Sequence, residues 1–311
     1  MIERLDDTDL SAVAKRLVLT RRESGANALG RVLTLVVSCA PDHAEMAAET
    51  AVAAAREHPM RVLVLSGAPE GRDRLDAEIR VGEDAGASEV VLLHATGEML
   101  SNPGALVTPL LLADTPIVVW WPDRAPASPS SCELGSMATR RVTDCAVVGG
   151  LSALSSLASG HRPGDTDLSW ARLTPWRDVL ASELDQPPHE PVLRAQVSGD
   201  PRAVPCALMA AWLGRSLNIP VALLSAPEVS ERYPLVGVSL ERAGGTISLR
   251  LDAVAGVIHL SHPHQPDHEV SFPERSLSDC LAEELRNLGP DPVYTDTLTG
   301  GVPALVEAEH E

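Results

Sequence analysis

Lysine is almost missing from this chain of 311 residues: Lys15 is the only one, and arginine carries nearly all the positive charge. Arginine keeps the charge and adds planar, forked donors suited to protein contacts. A biased base composition, visible also in the abundant Ala, Pro and Gly, is the plainer source. Positive charge as a whole is short, with 25 Lys and Arg against 43 Asp and Glu and a net charge of −18. Such a chain repels phosphate backbones and anionic lipid, which excludes nucleic acid and membrane surfaces as expected partners. No apolar run reaches the roughly twenty residues that cross a bilayer. The start, Met1-Ile2-Glu3-Arg4-Leu5-Asp6-Asp7, is acidic where a signal peptide needs a basic and then an apolar stretch, so a cytoplasmic protein is expected. The five cysteines, Cys39, Cys132, Cys145, Cys206 and Cys280, form no Cys-x-x-Cys pair. An odd count at wide spacing fits reduced, mostly buried thiols and not a disulfide framework. The 44% hydrophobic content excludes disorder of the whole chain, and the length suits two cores.

The first half alternates strand-like and helix-like segments. Strands are expected at residues 31–38, 61–67, 75–81, 89–94, 115–121 and 144–148, the third half-exposed by its alternation. Asp42 is placed to cap an Ala-rich helix ending near His58-Pro59, and further helices are expected at 103–112 and 134–140. This order predicts a doubly wound, mostly parallel sheet. Helices at 167–173 and 175–184 follow, with Thr174-Pro175 between them. Gln186-Pro187-Pro188-His189-Glu190-Pro191 breaks all periodicity, which places a domain boundary there and gives domains of 1–185 and 186–303.

The second half reads as an α+β domain with antiparallel strands. A helix at 205–217, apolar almost all round, should be buried with Trp212 in the core. Strands follow at 235–241, 246–252, 256–261 and 268–272, the first two joined by a hairpin turn at Ala243-Gly244-Gly245. Ser276 and Asp279 read as a capping box for a helix to about Leu288, with Gly289 as its stop. Asp291-Pro292 opens a final short helix, and residues 304–311 form an acidic, frayed tail.

Motifs for catalysis are absent. Gly149-Gly150 follow an expected strand, but the fuller Gly-x-Gly-x-x-Gly spacing is missing, so a tight turn is the simpler account and no nucleotide cofactor is expected. There is no Gly-x-Ser-x-Gly elbow. His259, His262, His264 and His268 cluster, yet Pro263 and Pro266 interrupt them and alternate residues of an extended chain face opposite ways. A polar hairpin tip is expected there, and no metal site.

Tryptophan is the excess: five, against one Phe and two Tyr. Adjacent Trp120 and Trp121 must face opposite sides at a strand end, one inward and one outward. Trp170 and Trp176 neighbour Arg172 and Arg177. Both residue types are enriched at interface hot spots, although packing is the commoner explanation. These segments resemble one family. Leu110-Leu111-Leu112-Ala113-Asp114-Thr115-Pro116-Ile117-Val118-Val119-Trp120-Trp121-Pro122 resembles the signature of the OpcA family, the glucose-6-phosphate dehydrogenase assembly proteins of actinobacteria and cyanobacteria. Arg140-Arg141-Val142-Thr143-Asp144, the run from Asp167 through Trp170, Arg172 and Trp176 to Arg177, His58-Pro59-Met60-Arg61-Val62 and Cys280-Leu281-Ala282-Glu283-Glu284-Leu285 are similar to further family blocks in the same order. The composition resembles the actinobacterial type.

The resemblance implies a cytoplasmic, non-catalytic accessory subunit without cofactor or metal, which binds glucose-6-phosphate dehydrogenase and promotes its assembly or active conformation. It also implies partner-binding candidates: Trp120, Trp121, Arg140, Arg141, Asp144, Trp170, Arg172, Trp176 and Arg177. The alternative is a sugar-phosphate enzyme of the same pathway, such as a lactonase, with Arg140, Arg141 and the Gly149-Gly150 turn holding phosphate.

Overall fold

Runs rich in Leu and Val such as 33–37 and 62–65 leave no polar side for water, so they belong in a sheet covered on both faces. The computed structural model describes residues 1–23, 32–56, 58–82, 88–263 and 265–308. These runs form β2 (Leu33–Cys39) and β3 (Met60–Ala68), paired in parallel. Arg31, expected to open the first of them, lies outside the described residues, as do His264 and residues 309–311. The chain divides into two compact units that are discontinuous in sequence: Met1–Asp144, Arg162–Leu168 and Ser276–Pro290 form unit 1, and Cys145–His161, Ser169–Arg275 and Asp291–Glu311 form unit 2.

Unit 1 is built on an eight-stranded sheet. Besides β2 and β3 it holds β1 (Ile2–Leu5), β4 (Arg74–Val81), β5 (Glu89–Thr96), β6 (Ile117–Trp120), β7 (Arg140–Thr143) and β8 (Asp165–Asp167), in the order β1-β4-β5-β3-β2-β6-β7-β8. The six strands from β5 to β8 run parallel, growing outward from β2 in both directions, which is the doubly wound pattern expected from the sequence. On the other side β4 lies antiparallel to both β5 and β1. Its strict burial alternation follows from its composition, Leu75, Ala77, Ile79 and Val81 inward and Asp76, Glu78 and Arg80 outward.

Helices α1 (Leu10–Glu23), α2 (Ala44–Ala54), α3 (Pro103–Val107) and α4 (Glu133–Ser136) connect these strands. Two local expectations need correcting. Asp42 does not cap α2: it sits inside a short 3₁₀ turn, Pro41–His43, because Pro41 already sets the first-turn geometry. The strand expected at 144–148 arrives four residues earlier as β7, and 145–149 form turns. The two arginines that lead β7 are buried by internal ion pairs, a possibility that hydrophobic patterning cannot register.

A further helix of unit 1, α9 (Leu277–Arg286), comes from far along the chain. Its capping box is as expected, Ser276 accepting from the Asp279 N–H and Asp279 accepting from the Ser276 N–H. It ends at Arg286, short of Gly289, and packs against α2. A division at 185/186 keeps α9 with the second half, whereas the fold counts it in the first, because its apolar stripe finds its cover on α2.

Unit 2 holds a six-stranded sheet in the order β10-β9-β11-β12-β13-β14, made of β9 (Val192–Gly199), β10 (Val221–Ser225), β11 (Leu235–Arg242), β12 (Gly245–Asp252), β13 (Val257–Ser261) and β14 (His268–Ser271). All neighbours are antiparallel except β10 and β9. That parallel pair, unread in the sequence, brackets α8 (Val204–Leu217), whose buried residues run nearly unbroken from Val204 to Leu213. Trp212 on α8 is partly buried against the same core. The hairpin at Ala243-Gly244 forms as expected, with Arg242 opposite Gly245. Helices α5 (Gly150–Gly160), α6 (Leu168–Arg172, in this unit from its second residue), α7 (Thr174–Leu184), α10 (Pro292–Asp296) and α11 (Val302–Ala308) complete the unit. Most of the segment expected as a frayed tail is therefore helical as far as residue 308. Among the described residues no helix is long and apolar enough to cross a membrane.

Candidate functional site

The nine candidate residues fall into two groups, one in each unit. In unit 1, both Trp120 and Trp121 are buried. The expectation that one faces outward fails because helices cover both sides of the sheet. Trp121 packs with Leu106, Leu134 and Ala138, and its N–H donates to the Val142 carbonyl (3.0 Å). Trp120 is fully enclosed, and its indole N–H has no partner among the described residues.

Arg140 and Arg141 open β7 and point to opposite faces, as successive strand residues must. Arg140 donates to the Glu284 carboxylate of α9 and to the Gly289 carbonyl (2.8 Å). Burial pushes the Glu284 carboxyl above the ordinary glutamate value, against the pull of Arg140. Arg141 pairs through Nε with Asp165 and donates to the carbonyls of Ala138 (2.8 Å), Gly135 (3.3 Å) and Pro163 (2.6 Å). Gly164 makes room for this: its φ is +95°, and a Cβ there would sit 2.4 Å from the Thr139 carbonyl and 3.0 Å from Arg141 Nη2. Asp144, also buried, follows directly after β7.

In unit 2, Trp170 is the centre of the second group. Its indole donates to Asp291 (2.9 Å), whose other oxygen caps α10 by accepting from the N–H groups of Val293 and Tyr294 (2.9 Å each). The Arg177 guanidinium lies 3.6 Å from the Trp170 ring centroid, and Nη2 donates to Thr174 (2.7 Å). Trp176 meets Phe272 edge to face, with centroids 5.2 Å apart. Trp170 and Trp176 are buried, while Arg172 and Arg177 keep partial exposure. Seven of the nine candidates are thus buried within their own units. Of their partners, Glu284 is expected with Glu283 on a solvated helix face and is instead 4% exposed, Asp291 reads only as the start of a helix, and Asp165 is not singled out. Nothing in the sequence marks a carboxylate that will meet an arginine from a distant segment.

A doubly wound sheet usually binds ligands beyond the strand carboxyl ends, where the strand order reverses. That place lies here between β2 and β6, and it is filled by Asp123. Oδ2 accepts from the Ala40 N–H (2.8 Å) and contacts His43 Nδ1 (2.6 Å), with the side chain 6% exposed. Pro41 supplies no N–H. The crevice therefore presents a carboxylate where a phosphate would need free amides.

Nearby, Ser66, His94 and Asp76 stand side by side on β3, β5 and β4 and line a groove of about 310 Å³. The row is not a relay. Ser66 Oγ and His94 Nδ1 are 3.5 Å apart, and the Asp76 carboxylate is held by Arg74 and the Asp7 N–H, which keep it below its ordinary range. Four further charges of the groove are engaged with one another: Arg80 grips Glu45 with two bonds of 2.7 Å and also reaches Glu78, which Arg4 holds from the other side.

Among the described residues, no group of three or more His, Cys, Asp or Glu could hold a metal. The five cysteines are thiols, and four of them are buried. Burial pushes the Cys39 thiol up to about 12, with Asp123 adding to the effect, and burial does the same to Cys206. At pH 8 roughly one such thiol in ten thousand is ionised, against about one in four for an ordinary cysteine. The folded chain is accordingly expected to label at Cys39 and Cys206 orders of magnitude more slowly with a thiol reagent than after denaturation. Mass-spectrometric mapping of the labelled cysteines checks this, and equal rates in the two states would contradict it.

Two family models match the chain. One, described as the glucose-6-phosphate dehydrogenase subunit N-terminal domain, covers residues 51–159, and the other, described as the C-terminal domain of that subunit, covers 163–298. No curated protein matches. Among solved structures, a chain titled "Trehalose-6-phosphate from E. coli bound with UDP-2-fluoro glucose" is 12% identical over 63% of this chain and 65% of its own length, with a TM-score of 0.25. Less than two thirds of that protein is spanned, and so loose a superposition says nothing about ligands. With both domain models matched in order over most of its length, the chain belongs to the OpcA family of glucose-6-phosphate dehydrogenase assembly proteins.

Proposed function

We propose that this protein is a non-catalytic accessory subunit that binds glucose-6-phosphate dehydrogenase and favours its assembled or active conformation. The observation that carries the reading is the match of both halves of the chain to domains named for a subunit of that enzyme. An activator of this kind needs no reacting groups of its own, only a higher affinity for one state of the enzyme. A preference of about 3 kcal/mol shifts such an equilibrium more than a hundredfold.

The alternative, a sugar-phosphate enzyme using Arg140, Arg141 and the Gly149-Gly150 turn, loses support from the geometry. Both guanidinium groups are committed to internal carboxylates and carbonyls, and the Gly150 N–H is directed to the Cys145 carbonyl (3.0 Å). Of the nine partner-binding candidates, the two with partial exposure, Arg172 and Arg177, suit direct contact. The other seven act through the shape of the units they hold together.

Steady-state kinetics of the matched dehydrogenase with and without this protein test the proposal, together with sedimentation of the mixture. A complex at micromolar concentration and an altered rate or substrate affinity are expected. No complex under those conditions overturns the reading. Charge reversal at the two partly exposed positions, Arg172→Glu and Arg177→Glu, is expected to weaken the complex about tenfold each, or about 1–2 kcal/mol, with circular dichroism checking that each variant stays folded. Titration calorimetry against the dehydrogenase measures this, and affinities equal to wild type in both variants would remove these residues from the interface.

A further inference from the structure

We propose that unit 2 carries a binding site for phosphate, free or as the phosphoryl group of a monoester, formed by Arg242 and His262 at the end of the inner face of its sheet. Alternation along β11 puts Leu240 and Arg242 on that inner face, and Leu240 is core. Arg242 is 6% exposed, yet its guanidinium makes no ion pair among the described residues. Nε has no partner, and Nη1 has only a long bond to the Pro188 carbonyl (3.4 Å). A guanidinium presents five donors and cannot shed its charge, so burying it without an anion is strongly unfavourable.

His262, directly after β13, is equally buried. Its Nδ1 lies 3.0 Å from the Pro263 carbonyl, which can only accept, so Nδ1 carries the proton of the neutral ring. Nε2 is left as a buried acceptor with no partner among the described residues. Both side chains line one cavity of about 80 Å³, together with Pro188, Gly244, Gly245 and Pro263. Gly245 has a φ of +134°, and a Cβ there would lie 2.7 Å from Pro263, so the glycine lets that wall close. Glu190 also lines the cavity and accepts from the Gly244 N–H (2.8 Å).

The cavity thus offers a fixed donor with positive charge, an unmet acceptor and a carboxylate. The matching ligand brings an ionised oxygen for Arg242 and keeps a hydroxyl to donate to His262 or Glu190. Hydrogen phosphate has both near neutral pH and a phosphate monoester has both in its monoanion, whereas sulfate and ionised carboxylates lack the proton.

Titration calorimetry of the full chain near neutral pH, with inorganic phosphate, glycerol phosphate and sulfate at matched ionic strength, tests this. Saturable phosphate binding is expected, with sulfate at least tenfold weaker. Arg242→Lys, which keeps the charge and loses the fork, is expected to weaken phosphate at least tenfold, and His262→Phe to do likewise, both with the far-ultraviolet circular dichroism of wild type. Should one variant fail to fold, the other carries the test. Glycerol phosphate binding as tightly as phosphate assigns the site to a metabolite's phosphoryl group, and its rejection assigns it to the free ion. Absence of saturable phosphate binding, an equal response to sulfate, or unchanged affinity in folded variants overturns the proposal.

Discussion

Replacing Arg141 by Ala is expected to lower the stability of unit 1 by about 3–5 kcal/mol, because it strands a buried carboxylate. The loss is more than one ion pair. Arg141 donates to Asp165 and to the carbonyls of Ala138 and Pro163, and so holds the residues before β7 against those before β8. Truncation leaves Asp165, 8% exposed, without its principal counter-charge, and leaves buried carbonyls whose desolvation is no longer offset. Lysine is a poor substitute, since a single ammonium cannot span the three directions that the guanidinium serves. Urea denaturation of wild type, Arg141→Ala, Asp165→Ala and the double variant measures the effect. The double variant should be less destabilised than the sum of the singles, because removing both partners leaves no unpaired charge. A single-variant loss below about 1 kcal/mol would mean that the pair behaves like an exposed one.

The second large effect is expected at Trp170. Trp170→Ala removes a buried indole that contacts Tyr294, lies under Arg177 and donates to Asp291. Large-to-small changes of this kind cost about 3–5 kcal/mol. Trp170→Phe keeps a smaller ring beneath Arg177 and loses the hydrogen bond with part of the buried indole, so a smaller loss of about 1–3 kcal/mol is expected. Asp291 would still cap α10 through its other oxygen. Thermal unfolding of the two variants measures both losses. The Phe variant also bears on function. If Trp170 acts by holding unit 2 together, Trp170→Phe should bind the dehydrogenase as wild type does, whereas Arg172→Glu should not. A Phe variant that stays fully folded yet loses the complex would place the indole itself at the interface.

Strands that are apolar on both faces were legible, because burial of a whole strand requires an unbroken run: β2, β3 and β5 carry one, and each forms where the sequence places it. The capping box of α9 and the two-residue hairpin after β11 were legible for the same local reason, since a cap or a turn is made by residues within a few positions of one another. β7 was displaced in the reading because Arg140 and Arg141 look like surface residues until Glu284 and Asp165 are seen beside them. The pairing of β9 with β10 was unread because it joins strands on either side of α8, which residues within a few positions of one another do not record.

The candidate site divides along the same line. That the Trp and Arg blocks matter could be read from their residues alone, because an excess of tryptophan in a chain so poor in other aromatics has to be placed in a core or at an interface. Side-chain chemistry and near-neighbour spacing also sufficed for the α/β class and the doubly wound half, and the resemblance of the quoted blocks for the family. Tertiary structure alone decided that Trp120 and Trp121 are both enclosed, that Asp123 fills the crevice at the reversal of strand order, and that α9 belongs with the first unit. Each of these depends on groups 80 or more positions apart, or on which faces of a sheet are covered. Burial and ion pairing are properties of such distant groups brought together, and local sequence does not record them.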